Sequence, residues 1–219
     1  MPLIWKYFVL AFSALLPVVN PLGSALVFLG LVGVRPAGEY RALARSIAFN
    51  TILFFAAVEL VGSAALSFFG ISLPIVQVSG GLVLAAMGWS MLNEKDEPSD
   101  APRPSSPRDA DQGTFYPLTF PVTAGPGCIV VMLTLSAHAS RKVFSDDVLT
   151  HVGLFLAAAA LCALVYLAYA YAPKIARVIP PSTAHGVLRV VAFLLLCIGV
   201  QIAWNGADAL ITGLVHRLR

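Results

Sequence analysis

Polar and apolar positions are segregated along this chain rather than interleaved. Apolar residues fill six long tracts, at 4–32, 44–69, 73–93, 117–138, 149–171 and 187–211, with short polar stretches between them. Each tract reaches the roughly 20 residues that carry a helix across hydrocarbon. None alternates with period two over about ten residues, as the strands of a membrane barrel do. The pattern predicts an all-α membrane protein of six transmembrane helices. The first tract runs on to about Gly33, past any signal-peptide cleavage site, so it reads as a membrane helix rather than a short leader.

One hydrophilic tract breaks this rhythm. Residues 94–113, EKDEPSDAPRPSSPRDADQG, are rich in Pro, Ser and Asp and hold too little apolar surface to order themselves. They predict a disordered linker, 94–114, between a first three-helix portion, 1–93, and a second, 115–219. The portions carry matching features in the same order. Each first tract holds a Pro/Gly break, Asn20-Pro21-Leu22-Gly23 in one and Ala124-Gly125-Pro126-Gly127 in the other. The third tracts align IVQVSG at 75–80 with VLRVVA at 187–192, and Asn93 with Asn205. Three crossings per portion place the two in opposite orientations, the plan of inverted-repeat transporters.

Composition agrees. Residues are 58% hydrophobic and only 11% charged, against roughly 25% charge in soluble domains, too few to cover a surface facing water. The net charge is only +3 and the basic residues sit at tract ends, which excludes a nucleic-acid-binding face. They act as topology signals. Arg35, Arg41, Arg45, Lys95, Arg103, Arg108, Lys174, Arg177 and Arg189 fall on one side, against Lys6, Arg141, Lys142, Arg217 and Arg219 on the other. The richer side is cytoplasmic by the positive-inside rule, so both termini face outward. Cys128, Cys162 and Cys197 all lie in apolar tracts, where no disulfide or metal site is expected.

The candidate chemistry sits at the breaks. Proline removes a backbone donor and disfavours helix in the residue before it, so Pro21 and Pro126 interrupt their helices inside the membrane, with Pro17 and Pro121 kinking each upstream. Unwound backbone at that depth is tolerated only when buried in protein or lining a watery cavity. Helices restarting near Ser24 and Cys128 would turn free N–H groups and a positive dipole end toward such a cavity, suiting a carboxylate. Asn20, Ser24 and Thr123 supply polar side chains, and Gly23, Gly125 and Gly127 allow close backbone approach. The bland reading is a pair of kinks that only shape packing.

Glu59, in the second tract, has two open readings. It carries a coupling proton, or it is a protonated carboxyl bonded locally or reaching water at an interface. Asn50, Gln201 and Asn205 are expected to bond between helices, and Arg189 to reach for the interface. Gly81, Ala85 and Gly88 share one helical face, as do Gly199 and Ala203, which suits close helix packing. No enzyme constellation emerges: the four histidines sit at tract ends, and Cys128 is the only candidate nucleophile.

LLPVVNPLGS at 15–24, FLGL at 28–31, FGISLP at 69–74, SGG at 79–81, PVTAGPG at 121–127, GVQI at 199–202 and Asn205-Gly206 together resemble the MarC family of bacterial inner-membrane proteins, nearly end to end. The resemblance implies a six-helix member of the LysE-like transporter superfamily, whose relatives include proton-coupled transporters of neutral amino acids. It does not imply a drug pump. The family's Arg-x-x-Gly at the start of both third helices is replaced here by Gln77 with Gly80 and by Arg189 with Ala192, which puts any role needing both arginines in doubt. Glu59 matches no motif of that family.

The expected function is transport of a small zwitterionic solute such as a neutral amino acid, proton-coupled, without enzyme activity, cofactor or metal. A non-transporting scaffold is the alternative, and a dry midplane rather than a polar pocket would favour it. The sidedness is tested by an alkaline phosphatase fusion after Arg219, which is expected to be active; an inactive fusion beside an active one in the 94–113 tract would reverse the orientation.

Overall fold

The computed structural model describes residues 3–93, 113–139 and 144–218. Residues 94–112 lie outside the described residues, and with them most of the linker and Lys95, Arg103 and Arg108; Arg141, Lys142 and Arg219 do so too. Among the described residues all regular elements are helical. They are α1 (Leu3–Val19), α2 (Pro21–Val32), α3 (Ala37–Phe68), α4 (Leu73–Leu92), an irregular wide-turn segment (Phe115–Thr123), α5 (Pro126–Ala139), α6 (Phe144–Ala170), the short α7 (Ala172–Val178) and α8 (Pro181–Leu218). Five spans are long and apolar enough to cross a membrane, the first being Leu3–Val32; the wide-turn segment and α5, bent by 60°, make a sixth when counted together.

Several helices outrun their apolar tracts. Helix α3 starts at Ala37 rather than 44, and α8 runs from Pro181 to Leu218 rather than over 187–211. Hydropathy measures what lipid tolerates, whereas backbone hydrogen bonding continues into water, so polar end turns such as those holding Arg41 and Arg45 remain helical. Helices also restart earlier than Ser24 and Cys128: α2 begins at Pro21 and α5 at Pro126. Proline suits a first helical turn, because its missing N–H would have had no partner there.

Large apolar side chains point both ways. Leu15, Phe28, Ile47, Phe55, Leu84, Met132, Leu154, Leu161 and Tyr169 are fully buried, while Leu53, Leu60, Phe68, Leu82, Phe193 and Trp204 are exposed. That exposed apolar girdle is what a bundle presents to lipid. Helix α6 lies against α1 and α3, and α5 against α1, α3 and α4.

Helices α4 and α8 form the most extensive contact. A Cβ on Gly81 would strike the backbone of Ala203 and Gly199, one on Gly88 that of Leu196 and Ala192, and one on Gly206 that of Pro74. Positions rise on one helix as they fall on the other, so the pair is antiparallel and the backbones touch through the small-residue faces. Without a hydrophobic drive between helices in lipid, such van der Waals contact supplies the association. Buried Gln77 packs against Gly206 within this seam, and Arg189 is exposed on α8.

Gly199→Val places two methyls against Ala85 and Gly81 backbone and is expected to cost about 1–3 kcal/mol or more by overpacking. The thermal unfolding midpoint in detergent should fall clearly, while Gly213→Val, where a Cβ meets open space, should leave it unchanged.

Candidate functional site

The first break is a single residue. Asn20 sits in the left-handed region at φ 44° and ψ 66°, a conformation Asn tolerates better than other side-chain-bearing residues. Its Oδ1 accepts from the Gly23 N–H at 3.1 Å, and its carbonyl accepts from both the N–H and the hydroxyl of Ser24 at 2.9 Å. Asn20 therefore caps α2 itself, taking up a donor that a ligand would otherwise have met. Pro21, Gly23 and Ser24 are buried, and Asn20 is half-buried. Gly23 has no space for a Cβ, with the Asn20 side chain and Leu188 against it.

The second break is built differently. Pro117 and Pro121 cannot donate, so the segment bridges five residues instead of four: the Thr119 N–H reaches the Thr114 carbonyl at 3.2 Å and the Ala124 N–H the Thr119 carbonyl at 2.8 Å. Threonine hydroxyls take up carbonyls as well, Thr119 on Thr114 at 2.9 Å and Thr123 on Leu118 at 2.6 Å. Gly125 is half-buried, Pro126 exposed, and Gly127 buried with Leu84 and Val18 filling the place of a Cβ.

Tyr169 of α6 joins the two breaks. Its hydroxyl lies 2.7 Å from Thr123 Oγ1 and alongside the Ser24 hydroxyl, and its ring stacks on Phe28 at 4.6 Å between centroids. The proton positions follow from the partners. The Leu118 carbonyl can only accept, so Thr123 donates to it and Tyr169 donates to Thr123; Ser24 donates to the Asn20 carbonyl. Every hydroxyl hydrogen at the junction of the breaks is thus committed within the protein, and the junction is closed. The cavity beside the first break, about 620 Å³, is lined by Asn20 and by apolar residues including Leu16, Pro21, Leu167, Tyr171 and Val191.

A polar cavity lies elsewhere. It is about 440 Å³, follows α3 through Glu59, Ser63, Leu66 and Ser67 to Ile71 and Ser72, and is closed by Leu133, Ser136 and Ala137 of α5 and His151 of α6. On α3 these positions fall at i, i+4, i+7 and i+8, one face of the helix, over a rise of about 12 Å. Glycines let α5 come close enough to form the wall: a Cβ on Gly62 would strike Leu133, and one on Gly80 would strike Val130. The Glu59 side chain is only 1% exposed, and its Oε1 lies 2.5 Å from His151 Nδ1. Its Oε2 has no hydrogen-bond partner among the described residues.

The residues singled out in the sequence therefore fall in two places. Ser24 and Thr123 meet at Tyr169, Asn20 turns onto its own helix, and Glu59 stands apart with His151. Asn50 donates to Thr114 at 3.3 Å, between elements, whereas Gln201 and Asn205 bond each other at 2.9 Å along the exposed side of α8 rather than across a helix pair. Tyr169 and His151 are not marked by any motif. The serine face beyond Glu59 is marked, by its four-residue spacing.

The chain matches the family model described as MarC family integral membrane protein over residues 5–211. It is 32% identical over 218 residues to the UPF0056 inner membrane protein MarC of Salmonella arizonae, a match covering 93% of this chain and 95% of that protein. With the proteins of the same name from Salmonella typhimurium and Escherichia coli O1:K1 / APEC it shares 28% over 214 residues and 26% over 209, with the same coverage. No solved structure matches. Matched along nearly its whole length by the family model, and to the same extent by these inner-membrane relatives, the chain belongs to the MarC family of integral membrane proteins.

Proposed function

We propose that this multi-pass inner-membrane protein is a secondary transporter of a small zwitterionic solute such as a neutral amino acid, coupled to protons through Glu59. The observation that carries the reading is the polar cavity running from mid-helix Glu59 to the end of the bundle. A buried carboxylate with an unsatisfied oxygen is costly in a membrane and marks a pathway or a proton carrier rather than a packing device.

The second component of the site is the pair of breaks, with Asn20, Pro21, Gly23, Ser24, Thr123, Gly125, Pro126 and Gly127 around the solute's path. In the closed arrangement Tyr169 holds Ser24 and Thr123 together, while the Glu59 cavity occupies the opposite end of α6. A cavity at one end and a closed junction at the other is the asymmetry that alternating access requires. Two inverted three-helix repeats would supply the motion, with both termini periplasmic. The antiparallel α4–α8 seam and the packing of α1 on α6, answered by that of α5 and the wide-turn segment on α3, support this repeat.

A non-transporting scaffold is favoured by one observation, the apolar lining beside Asn20. Uptake of labelled glycine and alanine into proteoliposomes, with and without an imposed proton gradient, separates the two. Accumulation is expected to depend on the gradient. Asn20→Ala with Thr123→Ala removes three side-chain hydrogen bonds of about 1 kcal/mol each, Asn20 with Gly23 and Thr123 with Leu118 and Tyr169, and should lower uptake at least about tenfold. Unchanged uptake in the folded double variant would displace the site from the breaks, and no uptake of either solute by the folded wild type would favour the scaffold.

A further inference from the structure

We propose that the cavity lined by Glu59, Ser63, Ser67, Ser72, Ser136 and His151 binds the ammonium group of a small primary amine at the Glu59 carboxyl, and that each cationic amine entering displaces one proton from the Glu59–His151 pair. The proposal rests on the transport reading for its use in the cell, and adds to it a defined ligand group at the coupling residue.

The chemistry begins with the orphaned oxygen. Glu59 lines the cavity with Oε1 held by His151, Oε2 without a partner in hydrogen-bond geometry among the described residues, and the Ser136 hydroxyl beside the carboxyl. Out of water, such an oxygen requires a donor. An ammonium offers three, so one can meet Oε2 while the others meet serine hydroxyls, which accept as readily as they donate. Ser63 stands one turn from Glu59 on the same face, and Ser136 faces it from α5. An anion would meet the carboxylate's repulsion, and no Lys or Arg lines the cavity among the described residues. Leu66, Leu73 and Leu133 complete the lining and suit a short alkyl chain, so the ligand class is a small primary amine, amino acids included.

Charge then fixes the proton count. With one proton shared between carboxyl and imidazole the empty pair is neutral overall. An arriving cation such as ethylammonium would bring that site to +1 in a low-dielectric setting, where like charges repel strongly. Neutrality returns when the pair gives up its shared proton to water, leaving carboxylate, neutral imidazole and ammonium. His151 is positioned for this, part-exposed at the cavity while Glu59 is not. No other titratable side chain lines the cavity among the described residues. Helix α4 carries none at all, Asp146 of α6 is exposed, and the nearest other charge on α3 is Arg45, more than three turns away. Proton and cationic amine thus exclude one another.

The test is calorimetric titration of the purified full chain in detergent, in buffers of different ionisation enthalpy so that released protons are counted. Ethylamine, alanine and propionate are the probes. Ethylamine is expected to bind with about one proton released per ligand and with affinity falling up to about tenfold per unit as pH is lowered, alanine, whose carboxylate already balances its ammonium, to bind without that release, and propionate not to bind. Glu59→Gln, eluting and melting as the wild type does, should abolish amine binding. Should that variant fail to fold, Ser63→Leu with Ser136→Leu fills the cavity and should have the same effect.

Propionate binding as well as ethylamine, ethylamine binding without proton release, ethylamine binding undiminished in folded Glu59→Gln, or no ethylamine binding at all would each overturn the proposal. Alanine uptake by proteoliposomes without amine binding here would leave the transport reading standing and remove this one. Amine binding with proton release in a protein that shows no flux would do the reverse.

Discussion

In hydrocarbon no water is present to satisfy a backbone N–H or C=O, and this chain interrupts its helices where that matters most. Each interruption is made good from within. At the first, the Asn20 side chain and carbonyl take up the start of α2. At the second, around Pro117 and Pro121, backbone bonds five residues long and the hydroxyls of Thr119 and Thr123 take up the carbonyls of Thr114, Leu118 and Thr119. Residues chosen for this duty also bring polar atoms to membrane depth, so the repair of the backbone and the making of a polar interior are one event.

The scaffold around the breaks answers a second constraint, the lack of a hydrophobic drive between helices in lipid. Glycines on α4 and α8 bring backbones into contact, Gly62 and Gly80 admit side chains of α5, and together they set where cavities can exist. Helix α5 sits tightly on Gly62 and Gly80, and the space beyond Leu133 opens into the serine-lined cavity. Large apolar side chains are left to face outward as well as inward, which inverts the economy of a soluble core.

Much of this architecture was legible in the amino-acid order. Tract lengths, the Pro/Gly punctuation and the small-residue faces of α4 and α8 are local patterns, and local patterns are what a linear string displays. Helix ends were less legible, since the polar turns around Arg41 and Arg45 stay helical outside lipid. The partners of the site were not legible at all. Thr123 meets Tyr169 across 46 residues and Glu59 meets His151 across 92, and neither partner stands in a motif. A tyrosine in an apolar tract and a histidine at its edge look ordinary until folding places a polar atom opposite each. The serines that follow Glu59 at four-residue intervals were an exception, a polar stripe open to reading on an apolar helix.

Both of those partners stand on α6, an unbroken helix from Phe144 to Ala170. Eighteen residues at about 1.5 Å each separate His151 from Tyr169, roughly 27 Å along one stiff rod. The carboxylate at one end and the junction of the breaks at the other are therefore gripped by the same rigid body. A tilt of α6 large enough to draw His151 from Glu59 must also move the Tyr169 hydroxyl relative to Thr123, and the two ends of the protein cannot be set independently.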